Sequence, residues 1–201
     1  MPHDPNDIAE RYAHNAYVLR RKVFKLLGGA FHIYDPDGNV VLYSKLKAFR
    51  LREDIRLYPD ESMETEILRI RTRSVWDIAG TYDVYDPIAD ETLGALRRKG
   101  LKSIFKDEWL FIDAQGNEVG KIKEDSAIKA MLRRANNLVA SFMPQAYHAD
   151  WGGHPVATYK QNMNPFVKKI AIDFSEDTGN RLDPRLGIAA AILLCAVEGK
   201  Q

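Results

Sequence analysis

The closing stretch LDPRLGIAAAILLCAVEGK, residues 182–200, restricts the fold of this chain more than any other segment. From Leu186 to Val197 twelve uncharged residues follow one another, nearly all apolar. A membrane-spanning helix needs about 20 such residues, and a run of this length is a buried helix more often than an anchor. Asp183 stands as an N-cap, Pro184 takes the first helical position, and Gly199 stands as a C-terminal stop. Leu186, Ile188, Ile192, Leu193 and Val197 spread around the whole helical wheel, and a helix apolar on every side is surrounded by protein or by lipid. A helix over 184–198 is about 22 Å long, short of the ~30 Å hydrocarbon core. No transmembrane segment is expected, and the upstream residues must wrap the helix.

Those residues read mostly as strands. In NVVLYSKLKA, Val40, Leu42, Ser44 and Leu46 share one face and Lys45 and Lys47 the other; EILRIRTR sets Leu68 and Ile70 against Arg69, Arg71 and Arg73; KKIAIDF sets Ile170, Ile172 and Phe174 against Lys169 and Asp173. Period-two alternation of this kind describes half-buried antiparallel strands. YVLRRKVFKLL is less regular and is also read as a strand. YDPDGN (34–39), DAQGN (113–117) and YDPIADET (85–92) are hairpin turns, and they form a weak repeat of apolar strand, Asp-bearing turn and basic strand end. About twelve strands precede the terminal helix, and SAIKAMLRRANNLVASF (126–142) reads as a second helix. Twelve short strands that close on themselves have no exposed edges and leave interior space for more than their own side chains. Strands of six or seven residues are ~20–23 Å long, matching the helix. The expected fold is therefore mainly β: a closed antiparallel barrel of about twelve strands around a buried C-terminal helix at 184–198. Residues 1–16 form a polar extension, 17–199 a single domain, and 126–152 an inserted helix and loop.

A formal net charge of +1 gives no global field to attract nucleic acid. A single cysteine excludes an internal disulfide framework, and the polar opening MPHDPNDIAERYAHN lacks a secretory apolar run. Both fit a cytoplasmic protein.

The run YVLRRKVFKLLGGAFHIYDPDGNVVLYSKLKAFRLREDIRLY, then WLFIDAQGNEVGKI, then the terminal apolar helix resemble the LURP-one-related proteins, which belong with phospholipid scramblases and tubby C-terminal domains. The resemblance spans roughly residues 17–199 and implies a twelve-stranded, tubby-like barrel around a buried helix. The 126–152 insertion, including YHADWGGH, departs from the pattern.

Candidate sites are few. LRRKGLKSIFK (96–106) holds Arg97, Arg98, Lys99, Lys102 and Lys106 without an acid among them. Tubby-type domains bind phosphoinositide head groups through outward Lys and Arg, so the resemblance implies lipid or phosphate binding here. DFSEDTGNRLD (173–183) offers Asp173, Glu176, Asp177 and Asp183 as oxygen donors where scramblases carry a calcium-associated segment, but its spacing matches no EF-hand. DPDGN is better explained as turn chemistry, and His148, Asp150 and His154 as a solvent loop beside Gly152-Gly153. No metal site or cofactor is expected. No nucleophile elbow, P-loop or dinucleotide fingerprint is present, and Cys195 lies on the apolar helix, so no catalytic residue is expected. The proline-rich arm and palmitoylated cysteine cluster of scramblases are also missing. The reading is a non-enzymatic binding or scaffold module, peripheral to anionic lipid head groups through the 96–106 patch. The alternatives are a protein-interaction module without lipid affinity and a scramblase-related membrane function.

Overall fold

The computed structural model describes residues 5–24, 28–46, 54–73, 80–99, 108–125, 145–162 and 167–197. A short helix α1 (Pro5–Glu10) comes first. The strands follow as β1 (Ala16–Phe24), β2 (Gly28–Tyr34), β3 (Val40–Leu46), β4 (Ile55–Leu57), β5 (Leu68–Thr72) and β6 (Thr81–Asp86). They continue as β7 (Glu91–Lys99), β8 (Glu108–Ile112), β9 (Glu118–Glu124), β10 (Ala146–Trp151), β11 (His154–Gln161) and β12 (Lys168–Asp173), and helix α2 (Pro184–Val197) closes the chain. All twelve strands join one antiparallel sheet, a meander whose first strand pairs with its last. Its two edge strands meet where Tyr43 and Tyr58 exchange backbone hydrogen bonds of 2.8 Å. The sheet is thereby a nearly closed barrel, the expected fold class.

Helix α2 is the core of that barrel. Leu186, Ile188, Ile192, Leu193 and Leu194 are each at most 1% exposed. Full burial of such a side chain stabilises by about 1.5–3 kcal/mol, so the helix anchors the strands around it. Ala189, Ala190 and Ala191 are equally buried, and their small side chains let the strands approach. Asp183 caps the helix as expected: its Oδ1 accepts from the Arg185 amide at 2.8 Å. At the other end the Arg21 guanidinium donates to the Cys195 carbonyl at 3.1 Å, a cation at the negative end of the helix dipole. The Tyr159 hydroxyl donates to the Gly187 carbonyl at 3.1 Å from inside the wall. No helix among the described residues is long and apolar enough to cross a membrane.

The turns at the α2 N-terminal mouth repeat one design. Asp35 accepts from the Asn39 amide (2.8 Å) and side chain (3.0 Å), and Asp113 does the same with Asn117 at the same distances. These hydrogen bonds, led by the Asn side chain, hold both carboxyls below the usual carboxylate range. Gly38 and Gly116 supply the positive φ, 86° and 91°, that each turn requires.

Two segments differ from expectation. Val40, expected inside, is 38% exposed, because the β2–β3 register shifts between Ile33 and Tyr34 and turns the start of β3 outward. Residues 146–151, expected within the insertion, are β10: Tyr147 and Ala149 alternate into the core, and Gly152-Gly153 turns the chain into β11. His148 and His154 therefore sit on strands and not in a solvent loop. The expected helix 126–142 lies outside the described residues.

Candidate anion-binding face

On β7 the basic residues do not share one direction. Arg97 reaches Glu118 at 3.0 Å and Lys99 approaches Glu108 at 4.0 Å, each across a strand boundary. Arg98 lies on the same face of β7 as the fully buried Leu96, in register with Trp109. Lys102 and Lys106 lie outside the described residues. Strand β7 is also six strands from β1 in the ring, on the opposite wall.

Where β1 meets β12, the register brings cations together that are far apart in sequence. On β1, Tyr17 and Leu19 fill the core while Val18 is 38% exposed, so Arg20 and Lys22 point outward by alternation. Arg20 pairs directly with Lys169 on β12, and Lys160 on β11 pairs with Ala171, two residues further along the same strand. Lys22 pairs with Ala30 of β2, which in turn pairs with Lys45 of β3. Lys22, Lys45, Lys160 and Lys169 are exposed, and none of these five cations makes an ion pair with a described residue. Glu61 borders the group, 2.7 Å from His32 Nε2, and Asp173 lies near Lys160. The hydrogen bond from His32 is the main reason the Glu61 carboxyl is held below its usual range, with Lys22 adding to it.

Like charges directly opposite across strands destabilise a sheet. The same juxtaposition occurs between Arg56 and Arg69 on β4 and β5, where Glu66 bridges them at 3.4 Å and 2.5 Å. Among the described residues no such acid joins Arg20 and Lys169. Arg73–Asp83, Lys121–Asp150 and His148–Asp125 are paired in the same way as Arg97 and Lys99. Ion-paired cations thus recur on β4–β10, where Arg71 and Lys123 are the exposed cations without an ion pair to a described residue, and a cluster of five cations without such a pair lies on β11, β12, β1 and β3. Alternation in YVLRRKVF sends Arg20 and Lys22 outward, but only the closure of β1 on β12 gives them Lys169 as a neighbour.

The acidic segment before α2 is occupied by its own backbone. Asp173 accepts from the Ser175 amide at 2.8 Å, and Asp177 accepts from the Arg181 and Leu182 amides at 3.0 and 2.8 Å. Among the described residues no three His, Cys, Asp or Glu side chains are placed to hold a metal ion. Cys195, the only thiol, is buried on α2, where it is packing and not an accessible lipidation site.

An antiparallel barrel nearly closed around an apolar C-terminal helix is the architecture of tubby-like domains. The model of the LURP-one-related family matches residues 15–195, almost the whole chain, and the protein belongs to that family. A search of curated proteins finds no match.

Proposed function

We propose that this LURP-one-related domain is a non-enzymatic module that associates peripherally with anionic phospholipid, and that the contact surface is the outer face of β11, β12, β1 and β3. The observation that carries this reading is the Arg20–Lys169 pair: two cations held directly opposite each other with no acid among the described residues joining them. A sheet that keeps such a repulsion is primed for an external anion. From Lys45 to Lys160 the cluster crosses four strand spacings, about 19 Å at ~4.8 Å each. That spread on a convex wall fits a distributed negative surface better than a single enclosed anion. Each Lys or Arg close to an anionic leaflet contributes about 1 kcal/mol, so five give weak, reversible, salt-sensitive attachment.

Co-sedimentation with vesicles tests it. Binding to phosphatidylcholine vesicles containing phosphatidylserine or phosphatidylinositol bisphosphate is expected, with none to phosphatidylcholine alone. The triple variant Arg20→Gln/Lys22→Gln/Lys169→Gln loses on the order of a hundredfold in affinity, whereas Arg97→Gln/Lys99→Gln loses little. Equal binding by the triple variant and the unaltered protein would refute the assignment. Absence of vesicle binding would leave a protein-interaction module as the better reading.

A further inference from the structure

The outer wall that carries the cations also carries an apolar row. Directly paired residues of antiparallel strands share a face. The register joins Lys160 on β11, Ala171 on β12, Val18 on β1, Tyr34 on β2 and Val40 on β3 in one line across the sheet. Val18 and Val40 are each 38% exposed, and Ala171 is exposed between Val18 and Lys160. Two residues along the strands, about 7 Å away, runs the line Lys169, Arg20, His32. Stacking of the His32 and Tyr34 rings, with centroids 6.3 Å apart, ties the two lines together.

The loop after β4 adds another apolar group. Glu61 reaches His32 at 2.7 Å and so holds this loop against the same wall. Two residues on, Met63 is 37% exposed and has φ +56°, a left-handed backbone that an L side chain adopts at a cost. Four large apolar side chains are exposed among the described residues, and three of them are Val18, Val40 and Met63. Apolar groups scattered singly over a surface need no explanation; three gathered beside five cations do. Water solvates the cations and not this row, whereas the head-group boundary of an anionic bilayer suits both. A soluble polyanion answers only the charges.

We infer that Val18, Tyr34, Val40 and Met63 enter the boundary between acyl chains and head groups of the anionic membrane, while Arg20, Lys22 and Lys169 stay among the head groups. This deepens the lipid reading and rests on it. It also orients the domain, because the row lies at the end of the wall nearer the mouth where α2 begins. The seat is shallow: the exposed Asp37 in the adjoining turn and Asp173 near Lys160 stay at the aqueous level. So small a row does not hold the protein on a membrane without the cations.

Two measurements on the full chain test it. Val40→Cys, labelled with an environment-sensitive fluorophore, is compared with Gln115→Cys in the exposed β8–β9 turn on the opposite wall. Cys195 is buried and escapes the label. On vesicles containing phosphatidylserine, the label at position 40 is expected to shift to the blue and to be quenched by lipid brominated in the acyl chains. The label at position 115 does neither. Val18→Thr/Val40→Thr keeps the β-branched shape and adds hydroxyls. It is expected to lose about tenfold in vesicle affinity while eluting from heparin at the parent's salt concentration. Unaltered vesicle affinity of that variant, or bound protein whose label at position 40 behaves like the one at 115, would overturn the insertion and leave the electrostatic reading standing. Absence of any binding of the parent to these vesicles would overturn both.

Discussion

Arg20 of β1 lies directly opposite Lys169 of β12, and neither forms an ion pair with a described residue. In the proposed reading the pair links fold to function, because the strands that close the barrel bring together cations that form no ion pair with a described residue. Removing either charge relieves the repulsion. Lys169→Gln is expected to raise unfolding stability by about 0.2–1 kcal/mol at low ionic strength. The gain should shrink at 1 M salt, where charges farther apart than about 3 Å are screened. Urea denaturation at the two salt concentrations measures it; a variant that is less stable than the parent at low salt would show that the two side chains do not repel.

Ile192 is fully buried at the middle of α2, enclosed by the strands. An Ile192→Asp variant places an unpaired carboxylate there, and penalties of this kind exceed about 4 kcal/mol. The variant is expected to be unfolded by circular dichroism. A soluble, cooperatively folding Ile192→Asp protein would contradict the central position of the helix.

Gly120 on β9 has the Asp150 carbonyl oxygen of β10 only 2.2 Å from where a Cβ would be, with the Trp151 Cα at 3.1 Å. Both obstacles are backbone, so Gly120→Ala must displace the β9–β10 pairing and cost about 1–3 kcal/mol. Gly116, at φ +91° with open space around it, presents a different case. Gly116→Ala costs about 1–2 kcal/mol through backbone strain alone. Because the displaced pairing is lost in the first variant only, hydrogen exchange at β10 amides should quicken in Gly120→Ala and not in Gly116→Ala.

Acid sensitivity is expected from the paired turns. Asp35 and Asp113 have carboxyls held below the ordinary value by Asn39 and Asn117. For a group with a depressed folded pKa, the stabilisation is full above the unfolded value and disappears as pH falls through the folded one. Unfolding stability should therefore decline from about pH 4 downward. The double variant Asp35→Asn/Asp113→Asn should show a flatter acid limb in denaturant titrations, and an unchanged slope would assign the acid sensitivity to other carboxylates.

Much of the fold was legible because it rests on local patterns. Asp183, Pro184 and the apolar run that follows define α2, and alternation at Leu68–Ile70 and Ile170–Ile172 identifies core-facing residues of β5 and β12. Val40 escaped the alternation because a register shift depends on the partner strand. Residues 146–151 were obscured by Asp150, Trp151 and the two glycines, which resemble a loop until β9 and β11 pair on either side. The basic face was legible only in part. Charge density along the chain singled out Arg97 and Lys99, whereas cross-strand acids decide which cations remain uncompensated. Glu118 and Glu108 reach those two residues through register, a property of the folded sheet and not of any one segment.

The most direct test of the central claim is lysine footprinting: brief acetylation of the protein, alone and bound to phosphatidylserine-containing vesicles, read by mass spectrometry. Lys22, Lys160 and Lys169 are expected to lose reactivity on binding by about tenfold or more, a loss reversed by high salt, while Lys99 and Lys121 keep theirs. Vesicle-bound protein in which Lys22, Lys160 and Lys169 react as fast as in solution would contradict the account.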